Sequence, residues 1–327
     1  MPAYNAAAYI GEAIDSLLAQ TFTGWELVVC DDCSTDATRD VVLARAASDS
    51  RIRLVSTRRQ SGGPTQGRRL SARAASAPYF VEIDADDVVA PDFIESLVAR
   101  LRDTVADVVI PSLWKFTGSP ESAVRFRPVD GFDQSAVLPG PEAFGLSLGW
   151  LTINGNGLIV RRELFLECME RYIPHTDNPY ADEILSRTIL HGARKVAFST
   201  TRYFYRQCNA SVTHAVRASR FAMLLTNLRQ RNIFYEWYAG TRPPESLRRL
   251  MESQIYLGLL DVLTSGAMRR LSGPDRRTVR RWLHMTYRAL DFDCLAATYS
   301  GPMFRLLRIG FWPSMLILPL YGRLKTR

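Results

Sequence analysis

Apolar positions in the first third of the chain follow two alternating rhythms. The pairs Tyr9/Ile10, Ala13/Ile14 and Leu17/Leu18 recur every four residues, predicting one buried helical face between Asn5, a capping residue type, and Gln20. Glu26–Cys30 is a continuous β-prone run closed by Asp31 and Asp32, and predicts a buried strand. Ser34, Thr35 and Asp36 offer caps for a helix over roughly 37–47, and Ile52–Val55 predicts a third strand. A basic, glycine-bearing loop, Arg58 to Pro64, then leads into a helix carrying Arg68. Tyr79–Ile83 predicts a strand that runs into Asp84, Asp86 and Asp87. Pro91 suits a first helical turn, with Phe93, Ile94, Leu97, Val98 and Leu101 as the buried stripe, and Asp107–Pro111 predicts a further strand. Strand and helix alternating in this way predict an α/β fold, Rossmann-like, with a mostly parallel sheet and helices on both faces.

The pattern changes after residue 111. Residues 112–150 lose periodicity and hold several glycines and prolines, which predicts a long excursion or hairpin. Regular structure resumes at Thr152–Val160, followed by a helix from about Arg162, a helix over Tyr180–Leu190, and short strands at Lys195–Ser199 and Tyr203–Arg206. Beyond His214 the apolar stripes are helical, as in Leu247, Leu250, Met251, Leu257 and Leu260. The expected organisation is a first half-domain over 1–111, a second over 112–213 and a helical C-terminal region over 214–327.

The chemistry concentrates at strand ends. A parallel strand's C-terminal edge is where such sheets bind ligands, and three carboxylates crowded there repel one another unless a cation sits among them. Hard oxygen donors suit Mg²⁺ or Mn²⁺, which complete their shells with water and substrate phosphates. Asp84, Asp86 and Asp87 therefore read as a metal–diphosphate platform, against the plainer reading of a solvated polar turn. In the same way Asp182 and Glu183 fall in the first turn of a helix, where the dipole alone accounts for carboxylates. Cys30 and Cys33 form a Cys-x-x-Cys without a second pair or a histidine cluster, so two small residues at a strand end are favoured over a zinc or redox site.

Charge adds a partner. The formal net charge is +8, with most acids before Glu183 and an arginine-rich remainder. Phe304–Leu320 carries an apolar run with Trp312, Pro313 and Pro319, flanked by Arg305, Arg308, Arg323, Lys325 and Arg327. This run is shorter than the ~20 residues a spanning helix needs, so an interfacial contact of 304–327 with a membrane surface is expected. No nucleic-acid reading motif is present. No basic stretch followed by an apolar core marks a signal peptide, and the odd, irregularly spaced cysteines favour a reducing cytoplasm. The expected location is cytoplasmic, peripheral on the inner face of the plasma membrane.

Several segments together resemble an inverting family 2 glycosyltransferase with a GT-A fold. They are Pro2-Ala-Tyr-Asn5, Ser16 to Phe22, Trp25 to Asp36, Gly62-Gly-Pro64 with Arg68, Ile83-Asp-Ala-Asp-Asp87, Ala181-Asp-Glu183 and Tyr205-Arg-Gln207. The match runs in order over roughly residues 1–213, and it is the joint pattern that is specific. The resemblance implies transfer of a sugar from a UDP-sugar to a lipid-linked or polysaccharide acceptor by single displacement, assisted by Mn²⁺ or Mg²⁺. It implies that Asp32 accepts a hydrogen bond from the nucleobase, with Pro2, Ala3 and Tyr4 lining that pocket. Arg68 would lie beside base and diphosphate, Asp84 and Asp86 would hold ribose and cation with Asp87 adjacent, and Arg206 would steady the leaving diphosphate. Asp182 matches the catalytic base, with Glu183 its rival, because Ala181 stands where the family often has Glu.

The sequence also departs from the family. Arg69 and Ser71 replace the usual Asn and Gly after Arg68. An apolar strand normally precedes Pro-Ala-Tyr-Asn, and the expectation is that translation starts upstream of Met1. Two other enzyme readings use acids at strand ends: a nucleotidyltransferase, which usually shows an N-terminal glycine-rich signature lacking here, and a metal-dependent phosphatase. A non-catalytic binding module on the same scaffold is a third, against which the retention of Asp86 and Asp182 argues.

Overall fold

The computed structural model describes residues 1–126, 133–149, 157–173, 180–207 and 217–325. Two compact units divide it, Met1–Asn209 and Ala210–Arg327.

In the first unit β1 (Pro2–Ala3), β2 (Leu27–Asp31) and β3 (Ile52–Ser56) form a parallel sheet in that order. They are joined through α1 (Ile10–Leu18), α2 (Thr38–Ser48) and, after β3, α3 (Pro64–Ala74). All five residues of β2 are buried, as its unbroken apolar run requires. Ile10, Ala13, Ile14 and Leu17 bury the face of α1. Asn5 does not cap that helix: at φ 48° it turns the chain, and its Oδ1 accepts from the Thr35 amide at 2.8 Å. Asp36 does meet a helix start, accepting from the Thr38 amide at 2.9 Å.

The second sheet has β4 (Tyr79–Val81), β5 (Val88–Val89), β6 (Val108–Phe116), β7 (Val124–Arg125), β8 (Val137–Leu138), β9 (Ile159–Arg161) and β10 (Val196–Arg206). The order is β4-β9-β6-β10-β5, with β7 on β6 and β8 on β10. Here only β6 and β10 run parallel; every other pairing is antiparallel. The sheet is therefore mixed rather than mostly parallel. Connection length accounts for one of these pairings: a parallel return needs a crossover of a dozen or more residues, and the link from β6 to β7 is shorter, so β7 folds back along β6 as a hairpin. Val196–Arg206 forms one long strand, irregular between Phe198 and Arg202, in place of two short ones. The excursion after residue 111 resolves into the end of β6, its hairpin to β7, then β8 and α5 (Gly140–Gly149); the expected structure at 127–132 and 150–156 lies outside the described residues. α4 (Phe93–Thr104), α6 (Arg162–Tyr172) and α7 (Ala181–Gly192) complete the unit.

The N-terminal edge buries a titratable group. The Met1 amine is buried and donates to the Val28 carbonyl at 3.0 Å, and burial lowers its pKa to about 6. Beside it lies a cavity of about 520 Å³ whose apolar lining includes Leu27, Phe80, Val81, Ile94 and Val98.

The second unit is helical: α8 (Met223–Trp237), α9 (Glu245–Thr264), α10 (Gly273–Ala289), α11 (Phe292–Ala296), α12 (Pro302–Ile309) and α13 (Phe311–Lys325). Its core gathers Ile255, Leu259, Val279, Leu283, Phe304 and Leu307. Among the described residues, no helix is long and apolar enough to cross a membrane.

Candidate functional site

The acidic link between β4 and β5 builds the centre of the site. Asp84, Asp86 and Asp87 each present a carboxylate oxygen within 4.8 Å of the others. Burial and the neighbouring carboxylate of Asp84 push Asp86 up to about 6, and the same two causes raise Asp87 well above the ordinary range. Such mutual repulsion, in a set of hard oxygen donors, is what a divalent cation relieves, so these residues fit Mg²⁺ or Mn²⁺. The three acids are not equivalent. Asp87 is fully buried and accepts from the Tyr203 hydroxyl at 2.7 Å and from the Arg206 amide at 2.8 Å, whereas Asp84 and Asp86 are partly open.

Strand β10 supplies that clamp. Tyr203 also receives the Asp84 amide on its hydroxyl at 3.2 Å, so one buried phenol ties both ends of the acidic link. Arg206 is buried too. Its Nε donates to the Asp86 carbonyl at 2.7 Å, its terminal nitrogens reach the Gly118 carbonyl and Glu12, and its guanidinium lies 4.5 Å from the Phe116 ring centroid. A contact of Arg206 with a diphosphate would have to use the hydrogens these bonds leave over. Most of Arg206 is committed to holding residues 86 and 87.

Arg68, on α3, is the second buried cation. It pairs with Glu82 of the link and lies 3.6 Å from Asp84. Burial pushes Glu82 up to about 7, against the pull of Arg68, while the surrounding carboxylates keep Arg68 charged beyond its ordinary range. Glu82 was not singled out by sequence, although an acid inside an apolar run is itself a sign of a buried pair. Gly67 lets α3 approach this closely, since a Cβ there would meet the Pro2 Cβ at 2.9 Å.

Asp182 enters from the first turn of α7. Its Oδ1 is buried without a hydrogen-bond partner among the described residues. Burial raises its pKa, Arg68 opposes that, and Asp84 adds to it, which places Asp182 within electrostatic reach of the acidic link. Glu183, its rival, instead pairs with Arg187 at 3.2 Å one turn on. A desolvated carboxylate with one oxygen lacking a partner is poised to take a proton; one neutralised by an adjacent guanidinium is less so.

Asp32 belongs to a separate group at the end of β2. It is buried, its amide donates to the Ala3 carbonyl at 2.8 Å, and its carboxylate accepts from the Thr57 hydroxyl at 2.8 Å and the Ser61 amide at 3.0 Å. Tyr4 is 45% exposed beside buried Ala3. The structure thus assembles Arg68, Asp84, Asp86, Asp87, Arg206 and Asp182 around the link, and Asp32 with Pro2, Ala3 and Tyr4 around the β1–β2 end. Sequence reading also missed Thr57 and Ser61, which lie in a polar loop with no pattern to mark them. The cysteines Cys30 and Cys33 are free thiols, and burial pushes Cys30 up to about 11.

Known proteins carry the same framework. The profile described as glycosyl transferase family 2 matches residues 1–165. The glycosyltransferase GlyG of Streptococcus pneumoniae is 30% identical over 222 residues, covering 65% of this chain and 71% of GlyG. The UDP-Glc:alpha-D-GlcNAc-diphosphoundecaprenol beta-1,3-glucosyltransferase WfgD of Escherichia coli is 39% identical over 101 residues, 31% of this chain and 39% of WfgD. The putative teichuronic acid biosynthesis glycosyltransferase TuaG of Bacillus subtilis is 31% identical over 131 residues, 40% of this chain and 49% of TuaG. The chain spans less than half the length of those last two relatives. Among solved structures, S. aureus TarS 1-349 in complex with UDP-GlcNAc superposes with a TM-score of 0.72 at 17% identity, over 98% of this chain and 89% of that one. At that identity the likeness speaks for the fold alone, which is the GT-A fold with a mixed sheet and a helical C-terminal region. Since the family profile matches half of the chain, from β1 through β9, and takes in Asp32, Arg68 and the acidic link, the chain is a glycosyltransferase and belongs to glycosyl transferase family 2.

Proposed function

We propose that the chain transfers a sugar from a UDP-sugar to a lipid-linked or polysaccharide acceptor by a single inverting displacement. The observation that carries this reading is the placement of Asp182, desolvated and with Oδ1 lacking a hydrogen-bond partner among the described residues, within the field of Arg68 and Asp84. In this reading Asp32 and the backbone of Pro2–Tyr4 select the base, and Asp84 and Asp86 take the ribose and a divalent cation, with Asp87 as its further carboxylate neighbour. Bound there, Mn²⁺ or Mg²⁺ would neutralise charge on the departing diphosphate. Arg68 holds the acidic link against the nucleotide, and Arg206 steadies the same charge while fixing residues 86 and 87. Asp182 accepts the proton of the acceptor hydroxyl as it attacks the anomeric carbon, and the glycosidic bond to UDP breaks with its electron pair leaving on the diphosphate oxygen. WfgD, which acts on a diphosphoundecaprenol-linked sugar, supports a lipid-linked acceptor, and such an acceptor suits work at the inner face of the plasma membrane through 304–327.

Thermal denaturation with UDP, with and without Mn²⁺, tests this. Ligand at about 100 times its Kd stabilises by about 2.7 kcal/mol, or roughly 5–10 °C for a unit of this size. The Mn²⁺-dependent part has a defined pH sign. Asp86 is raised to about 6 in the folded chain, so its contribution to stability is full below the unfolded pKa of about 4 and is lost as pH rises through about 6. A cation requires the ionised form, so the added stabilisation by Mn²⁺–UDP is expected to grow between about pH 5 and pH 7. Absence of any shift at millimolar UDP would remove the proposed donor, and a pH-independent shift would remove Asp86 from the cation.

A further inference from the structure

The second unit presents an apolar stripe to solvent beside an unneutralised basic one. On α12 and α13, Phe304, Leu307, Phe311 and Leu318 point into the core, yet Ile309, Trp312 and Leu316 are 75%, 61% and 74% exposed and Ile317 is 49% exposed. The two helices are locked together by buried Ser314, whose Oγ donates to the Leu306 carbonyl at 3.1 Å and the Gly310 carbonyl at 2.7 Å. That bond makes residues 309–317 one continuous surface. On α10, Val279 and Leu283 face inward, while Arg277, Arg281, His284 and Arg288 lie on one exposed face, four, three and four residues apart. Among the described residues, none of the ion pairs in this unit involves these arginines. The stripes adjoin: the His284 ring lies 6.4 Å from the Trp312 ring, near-parallel at 26°, and 4.9 Å from that of Phe311.

We propose that α10 and α12–α13 together form a docking face for an anionic lipid bilayer, with Trp312, Leu316 and Ile317 entering the headgroup–acyl boundary and Arg277, Arg281 and Arg288 lying on lipid phosphates. Charge complementarity selects the partner. A nucleic acid offers phosphates without a place for the aliphatic stripe, whereas a bilayer interface offers phosphate and hydrocarbon in one plane. An exposed Trp between the two stripes suits that boundary. The face is distinct from the catalytic residues. It deepens the expected contact of 304–327 by adding α10 as the electrostatic half, and that choice of surface rests on the proposed lipid-linked acceptor.

Co-sedimentation of the full chain with phosphatidylglycerol–phosphatidylcholine vesicles, against phosphatidylcholine alone, is the test. Binding is expected only with the anionic lipid, weakening with salt, with a blue shift of tryptophan emission that Trp312→Phe abolishes. Leu316→Glu/Ile317→Glu and Arg277→Glu/Arg281→Glu are each expected to lower partitioning at least about tenfold. All four positions are solvent-facing, and an unchanged Tm and UDP shift would certify folding. Wild-type partitioning by either double variant overturns the proposal. So does full displacement of the chain from vesicles by RNA while Leu316→Glu/Ile317→Glu still binds RNA and vesicles normally, since that assigns the face to a polyanion. Failure of the catalytic reading looks different: vesicle binding intact, with no response to UDP.

Discussion

Replacing Asp182 by Asn is expected to lower kcat by about 10²–10⁴-fold, the usual contribution of a positioned general base, while leaving the affinity for UDP unchanged. Release of UDP from a UDP-sugar in the presence of acceptor reads the first quantity, and calorimetric titration of UDP reads the second. The structure adds a prediction about stability. Because burial raises the Asp182 pKa, its ionised form opposes folding at neutral pH, and the neutral amide is expected to melt at the same temperature or higher. A gain in Tm together with a loss of turnover is the signature of a group held for chemistry at the expense of stability. Glu183→Gln, which breaks the partly buried pair with Arg187, is expected to change turnover by less than about tenfold, because that guanidinium already neutralises the carboxylate. The opposite ranking of the two variants would transfer the base to Glu183, and near-normal turnover in both would leave the displacement without a base on α7.

The second large effect concerns the buried pair under the acidic link. Arg68→Met leaves Glu82 buried without its cation, and breaking a buried pair in this way costs about 3–5 kcal/mol. For the N-terminal unit that corresponds to a Tm lower by roughly 6–20 °C. Adding Glu82→Gln removes the stranded charge and is expected to restore most of the loss. The double variant separates two roles that a single substitution confounds. If melting recovers and UDP binding does not, Arg68 reaches the nucleotide; if both recover, Arg68 serves only to brace residues 82–84. A single variant that melts like the parent would mean that the pair is not ionised in the folded chain.

Much of this was legible before any coordinates. Runs such as Leu27–Asp31 and stripes such as Ile10, Ala13, Ile14 and Leu17 are one-dimensional images of burial, so the elements of the first half fall close to their expected positions. Strand direction was not legible in the same way. Nothing in Ile159–Arg161 says that it runs against both β4 and β6, because direction is set by how the intervening chain returns, and part of that chain lies in the aperiodic stretch after residue 111. The acids of the link were found through their crowding. Their supports were not: Tyr203 lies in the sequence more than a hundred residues from Asp87, and a tyrosine in a strand reads as core until its hydroxyl is seen to have a destination. Asp32 shows the converse. Its residue type and place at a strand end marked it, yet only the structure shows that Thr57 and Ser61 already engage its carboxylate.

The bonds from Tyr203 and Arg206 to Asp87 bear on the order in which ligands assemble. With both oxygens of that buried carboxylate already accepting hydrogen bonds, the chain has few uncommitted oxygens to offer a bare ion, and a small cation that keeps its own water gains little by entering alone. In the proposed reaction the diphosphate would bring the missing oxygens. Occupancy of the cleft would then follow the cellular supply of the activated sugar rather than that of the ion, and the two would arrive and depart as one particle.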